Sequence, residues 1–135
     1  MTIQVRHEGE DRFQIQIRSH RVMVDQPDTG DAGPTPTELF VASLASCAAF
    51  YAERFLVRHG VDPDGLGLSC SYRMAEDRPA RVSSIDLSMT LPPGFPPELE
   101  RRLRAVVERC TVHNSIVAPP TVALELAVSR DPALV

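Results

Sequence analysis

The sequence predicts an α+β domain with largely antiparallel sheet and two helices. Three observations predict it: alternating apolar residues in several short runs, one long apolar segment with helix signals at both ends, and a second, amphipathic segment after residue 96. Strands and helices do not alternate as βαβ units, which favours antiparallel pairing. The length of 135 residues is typical of one domain, so we predict a single domain over residues 1–135 with the order β-β-β-α-β-β-α-β.

The N-terminal strands are predicted from alternation. Apolar and polar residues alternate over residues 2–7 and 12–18, as expected for an antiparallel hairpin that turns at residues 8–11. Val22 and Val24 continue the pattern in a third short strand. The following residues, 25–34, are rich in Pro, Gly and Asp and indicate a loop.

The long apolar segment carries helix signals at both ends. Thr35 is placed as N-cap, Pro36 as the first helical residue, and Glu38 completes a capping box with Thr35. Gly60 is placed to end the helix in a left-handed conformation.

The middle of this helix is apolar on nearly all sides. Between Leu39 and Phe50 the polar residues are Ser43 and Ser46 alone, so we expect the helix to be surrounded by protein. One small sheet cannot cover such a helix. We therefore expect a second copy of the chain to cover it in an intimate homodimer.

The C-terminal half repeats both patterns. Residues 66–74 and 82–91 alternate and predict a second hairpin. A helix is predicted from about residue 97 to residue 110 or 113, and a final strand over residues 121–129.

Composition excludes several functions. The formal net charge is -4 and the basic residues are scattered, which argues against a nucleic-acid partner. No run of eighteen apolar residues occurs, so no membrane span is expected. The N-terminus lacks the apolar stretch of a secretory signal, and a cytoplasmic location is expected. The absence of lysine excludes a Schiff-base mechanism.

The three cysteines are the candidate chemical groups. An odd number, with no export signal, argues against a disulfide framework. The spacing of Cys47, Cys70 and Cys110 fits no zinc module, so we expect neither a metal nor a cofactor. Cys70 alternates with apolar residues on a predicted strand and is interpreted as a core residue.

Cys47 and Cys110 lie on the apolar faces of the two predicted helices. Each fits a buried core thiol, and the two together fit a redox pair. A nucleophilic Cys47 needs a nearby positive group, for which Arg18 and Arg21 are the candidates. The capping box is enough to explain Glu38. The alternative is a catalytic role, in which Glu38 orients the arginine near Cys47.

Two stretches of the sequence resemble the OsmC/Ohr family of osmotically induced and organic-hydroperoxide-resistance proteins, especially its OsmC-like branch. They are GPTPTELFVASLASC and, far downstream, ERCTVHNSI, in which Thr111 stands where the family has proline. The resemblance covers nearly the whole chain. It implies an α+β fold in which largely antiparallel sheets wrap around two central helices in an intertwined homodimer.

The resemblance also implies a function. Members of the family reduce organic hydroperoxides with thiols and use an external dithiol as reductant. Carried over to this chain, Cys47 matches the peroxidatic cysteine and Cys110 the resolving cysteine. Arg18, Arg21 and Glu38 are the candidates for the groups that activate Cys47.

Two other functions remain open at this point. The chain would be a binding module if a dimer pocket held a small apolar ligand and the thiols only packed. It would be a Cys–His hydrolase if Cys47 worked with His113, three residues after Cys110.

Overall fold

The structure, a computed structural model, describes residues 1–129 and is α+β. Its elements are strands β1 (Ile3–Gly9), β2 (Arg12–Ile17) and β3 (His20–Val24), helix α1 (Pro36–Arg58), strands β4 (Gly67–Met74) and β5 (Val82–Thr90), a 3-10 turn (Pro97–Leu99), and helices α2 (Glu100–Val107) and α3 (Thr111–Val117). The chain forms two compact units, residues 1–39 with the segment that starts at Thr121, and residues 40–120.

The first unit contains an antiparallel sheet in the order β1-β2-β3. The predicted hairpin and third strand are confirmed, with Val5 opposite Ile15 and Ile15 opposite Val22. Apolar residues thus meet across the strands on one face, which stabilises antiparallel pairs. The register shifts between His7 and Gly9, where a φ of +118° favours glycine.

The predicted loop after β3 is held by one buried carboxylate. Asp25 is 2% exposed, and its oxygens accept the N–H groups of Gln26 at 2.8 Å and Ala32 at 3.0 Å. Those N–H groups, that of Ala32 first, lower the pKa of Asp25. A side chain on Gly30 would put its Cβ 2.7 Å from an Asp25 oxygen, so the loop also depends on glycine there.

Helix α1 begins with the predicted capping box. The Thr35 N–H donates to the Glu38 carboxylate at 2.8 Å, and the Glu38 N–H donates to Thr35 Oγ1 at 3.1 Å. The Thr35 N–H also lowers the pKa of Glu38. At the other end Gly60 has a φ of +71°, and the Val61 N–H reaches back to the Leu56 carbonyl at 2.9 Å, as predicted for a glycine-ended helix.

The core of the second unit forms where α1 meets α2. Ala52, Phe55, Leu56 and Leu103 are buried there. Partly buried residues of the second hairpin, α2 and the nearby turns pack against this cluster: Val61, Leu66, Met89, Leu91, Phe95, Leu99 and Val107. Burial of such side chains contributes roughly 1.5–3 kcal/mol each, so this cluster is the main support of the unit.

The opposite face of α1 stays exposed in the single chain. Phe40, Phe50 and Val57 are 44%, 53% and 54% exposed. Sequence analysis predicted a helix enclosed by protein, and within one chain that enclosure is only partial. Phe50 and Val57, seven residues apart, form one row on this helix, and exposed apolar residues in such a row usually mark a surface for another molecule.

α1 is also long and apolar enough to cross a membrane by length and composition, the one such helix among residues 1–129. Its most apolar window has a mean hydropathy of 1.4, and 33% of that window is buried. The central helix of a globular domain can have the same length and composition. These two properties therefore do not distinguish a membrane span from a core helix.

The prediction that the second helix runs to residue 110 or 113 is wrong. α2 ends at Val107, and Cys110 adopts an extended conformation, with φ -64° and ψ 153°. The Cys110 side chain accepts the His113 N–H at 3.4 Å and so acts as N-cap of a separate helix, α3. The helical spacing of apolar residues continues through Cys110 in the sequence. In the structure the helix nevertheless breaks there, because the Cys110 side chain bonds the His113 N–H and starts a new helix.

The predicted final strand is also wrong. Residues 121–129 form no strand and join neither the three-stranded nor the two-stranded sheet. Their alternating apolar residues Val122, Leu124, Leu126 and Val128 are at least 81% exposed. A strand needs a partner edge, and the described part of one chain supplies none here. Residues 130–135 of the predicted domain lie outside the described residues.

The capping box gives a first prediction. Thr35→Ala removes the side-chain acceptor for the Glu38 N–H and should lower the free energy of unfolding by about 1 kcal/mol. Urea denaturation followed by circular dichroism measures it. The matched control Thr37→Ala, which removes no hydrogen bond of the box, should leave stability unchanged, and an equal loss in both variants would contradict the assignment.

Candidate active site

The second unit brings two thiols together. Cys47 lies in the middle of α1 and is half-buried, whereas Cys110 lies at the junction of α2 and α3 and is fully buried. The Cys47 thiol lies near enough to the Cys110 thiol to raise the pKa of Cys110. Both cysteines are free, so the pair is in its reduced form.

Cys110 is held in its neutral form. Burial raises the pKa of the Cys110 thiol, and the adjacent Cys47 thiol raises it further. The N–H groups of His113 and Val112 act in the opposite direction, without reversing the shift. A protonated and enclosed thiol is a weak first nucleophile, so an incoming reagent reaches Cys47 before Cys110.

A second contact lies beside the thiols. The Tyr51 hydroxyl lies 2.8 Å from Thr111 Oγ1. Tyr51 is one helical turn after Cys47 in α1, and Thr111 directly follows Cys110. The sequence analysis did not identify Tyr51 and Thr111 as a pair. Tyr51 could have been singled out, because it lies four residues after Cys47 and residues four apart share a helix face.

The predicted arginines lie in the first unit. Arg18 is in the turn between β2 and β3, with a φ of +53°, and its carbonyl accepts from the Gln16 side chain at 2.6 Å. Arg21 Nε donates to Gln16 Oε1 at 3.3 Å. Both side chains are exposed, and the Glu38 carboxylate is engaged at the helix cap. Their roles toward Cys47 stay predictions.

Two other predicted residues differ from expectation. Cys70 was interpreted as a core residue, but it lies exposed on β4 opposite Leu87. Cys70 does lie on a strand, as predicted, but among residues 1–129 no other element covers that part of the hairpin. His113 contacts Cys110 through its backbone N–H, and its ring makes no hydrogen bond within residues 1–129.

A groove of about 520 Å³ lies between α1 and α2 and includes neither sulfur. Aromatic and basic residues dominate its lining: Phe50, Tyr51, Arg54, Phe55, Arg58, His59, Arg102 and Val106. The Arg54 guanidinium lies 5.0 Å from the centre of the Phe50 ring, and His59 stacks on Phe55 at 4.0 Å. Such a lining suits a ligand with a flat apolar body and a negative charge.

Residues 1–129 contain no cluster of metal-ligating side chains. No three His, Cys, Asp or Glu side chains come together there in a way that would hold an ion. The two neighbouring sulfurs are therefore the main chemical feature of the second unit.

The chain belongs to the OsmC family. The profile of the family, described as OsmC-like protein, matches residues 28–125, which include both Cys47 and Cys110. A comparison with curated proteins gives no match.

Solved structures of the family have the same fold. A protein from Psychrobacter arcticus, provisionally assigned as an osmotic-stress-induced and detoxification-response protein, is 24% identical with a TM-score of 0.76, over 85% of this chain and 87% of that one. An OsmC-like protein from Mycoplasma pneumoniae is 15% identical with a TM-score of 0.75, over 87% of each chain.

Proteins named for hydroperoxide resistance also have this fold. The organic hydroperoxide resistance protein OhrB of Bacillus subtilis is 16% identical with a TM-score of 0.64, over 88% of this chain and 93% of that one. At such identities the likeness establishes the fold, and the α+β class and the family predicted from the sequence are confirmed.

The raised pKa of Cys110 gives a second prediction. In a Cys47→Ser, Cys70→Ser variant, burial still keeps the folded thiol neutral at pH values where the unfolded thiol ionises. Alkylation by iodoacetamide, followed by mass spectrometry across pH, should therefore have a higher midpoint in the folded protein than in guanidinium. A folded midpoint at or below the unfolded one would contradict this assignment.

Proposed function

We propose that this protein reduces organic hydroperoxides with its own thiols, with Cys47 as the peroxidatic and Cys110 as the resolving cysteine. The observation that carries the proposal is the proximity of a partly exposed Cys47 thiol to an enclosed Cys110 thiol. Membership of the OsmC family, whose fold includes proteins named for organic hydroperoxide resistance, supports it.

The proposed reaction has three steps. The Cys47 thiolate attacks one oxygen of the peroxide, the O–O bond breaks, and the leaving alkoxide takes a proton to become an alcohol. Cys47 is now a sulfenic acid, and the Cys110 sulfur attacks it to form a disulfide and release water. An external dithiol then reduces this disulfide by exchange and restores both thiols.

The different burial of the two thiols supports the two proposed roles. The first nucleophile must meet a substrate, which fits the half-buried Cys47. The resolving thiol needs contact only with the oxidised partner, which fits the fully buried Cys110. A disulfide requires the two Cα atoms within about 7 Å, a condition that neighbouring thiols favour.

The activating groups are assigned from the family resemblance alone. A guanidinium beside Cys47 would hold it as thiolate, and we assign this role to Arg18 or Arg21. Glu38 would orient that arginine in addition to capping α1.

The proposal gives a third prediction. The wild-type protein should reduce cumene hydroperoxide with dithiothreitol as reductant, measured as loss of peroxide over time. Cys47→Ser should lower turnover to the uncatalysed rate, because no other thiol meets the substrate first. The control Cys70→Ser removes an exposed thiol on β4 and should keep full activity. Unchanged turnover in Cys47→Ser would refute the proposal.

A second candidate function is ligand binding without thiol chemistry. The groove of about 520 Å³ favours it, although its arginines suit an anionic ligand better than the purely apolar one expected from the sequence. This candidate requires that peroxide treatment yields no Cys47–Cys110 disulfide in peptide mass mapping. Within residues 1–129 the His113 ring makes no hydrogen bond to Cys47, so no described contact favours the Cys–His hydrolase.

We also propose that two copies assemble into an intertwined homodimer and that the protein works in the cytoplasm. The exposed apolar row of α1 and the exposed alternating residues after Thr121 support the dimer. Three free cysteines without a disulfide fit a reducing compartment.

The dimer gives a fourth prediction. Val57→Glu places a charge in the exposed row of α1 and should shift the protein from dimer to monomer in light scattering, because an unpaired charge is costly in an apolar interface. Arg101→Glu, an exposed position on α2, is the control and should leave the mass unchanged. A monomeric wild type would contradict the dimer.

A further inference from the structure

We propose that the Tyr51–Thr111 hydrogen bond holds the two thiols in position for disulfide formation, which makes Tyr51 and Thr111 positioning residues. This inference rests on the proposed function, because the Cys47–Cys110 disulfide is a step of the proposed reaction. It concerns the second step of the reaction, the attack of Cys110 on oxidised Cys47, and leaves the first step untouched.

The location of the bond supports this role. Tyr51 Oη and Thr111 Oγ1 are 2.8 Å apart, within the range of a good O–H···O bond. The bond starts on α1 one turn from Cys47 and ends on the residue bonded to Cys110. It therefore ties together the two backbone segments that carry the sulfurs, at a point beside both.

Helix α3 itself is only partly covered by the rest of the unit. None of its seven residues is fully buried, and Thr111 itself is exposed. Among the described residues, the Tyr51–Thr111 bond is the one side-chain hydrogen bond between α1 and α3. A short helix without a buried face depends on such specific bonds for its position.

The chemistry of the second step is sensitive to that position. Disulfides need Cβ atoms about 3.5–4.5 Å apart, a narrower condition than contact between a peroxide and an accessible thiol. The Cys110 side chain is already fixed at its own end, because its sulfur accepts the His113 N–H at 3.4 Å. The Tyr51 hydroxyl adds a further constraint, because it bonds the first residue of α3 to α1.

The test separates the two steps of the reaction. Thr111→Val removes the hydroxyl at nearly constant shape, Tyr51→Phe removes the other hydroxyl, and Thr111→Ser keeps the bond. After mixing with cumene hydroperoxide, dimedone traps the Cys47 sulfenic acid, and peptide mapping after an acid quench measures the Cys47–Cys110 disulfide.

We expect disulfide formation to slow about tenfold in Thr111→Val and Tyr51→Phe, as for loss of one hydrogen bond. Formation of the Cys47 sulfenic acid should stay at the wild-type rate, and more of it should be trapped by dimedone. Thr111→Ser should behave as wild type. A general loss of structure would instead slow both steps, and circular dichroism would reveal it.

Two results would overturn the inference: disulfide formation at the wild-type rate in Thr111→Val and Tyr51→Phe, or equal slowing in Thr111→Ser and Thr111→Val. Failure of the proposed function looks different, because the wild type would then form no sulfenic acid at all. In that case diamide, which oxidises neighbouring thiols without a peroxide, replaces cumene hydroperoxide. Equal diamide rates in all four proteins would then overturn the positioning role.

Discussion

The proximity of the Cys47 and Cys110 thiols is the constraint on which the candidate active site depends. Each sulfur is placed by a different local device. Cys47 is carried by a long helix whose inner face packs into the core, and Cys110 by a turn that its own side chain helps to form. The pair therefore depends on a long helix and a short turn that come together in the fold, and the Tyr51–Thr111 hydrogen bond links the two.

Burial divides the pair into unequal partners. Cys110 is enclosed and neutral, and Cys47 is reached from outside. The main core cluster lies further along α1, around Phe55 and Leu56. Because Cys110 is fully enclosed and Cys47 keeps part of its surface exposed, a reagent reaches Cys47 without a local opening of the structure.

Local signals were predictable from the sequence and long-range partners were not. Thr35 and Gly60 define α1 because caps act within one turn. The helix break at Cys110 was missed because cysteine is not among the usual capping residues, and the hydroxyl of Thr111 acquires meaning only next to Tyr51. The alternation over residues 121–129 predicts a strand with one apolar face, but it does not show which segment would pair with that strand.

The uncovered tail that follows α3 has a consequence for biosynthesis. Its alternating valines and leucines have the composition that self-associates when many chains are present together. During synthesis these exposed stretches on neighbouring chains can associate before folding is complete. The yield of folded protein should thus fall at high expression rates and recover when synthesis is slowed.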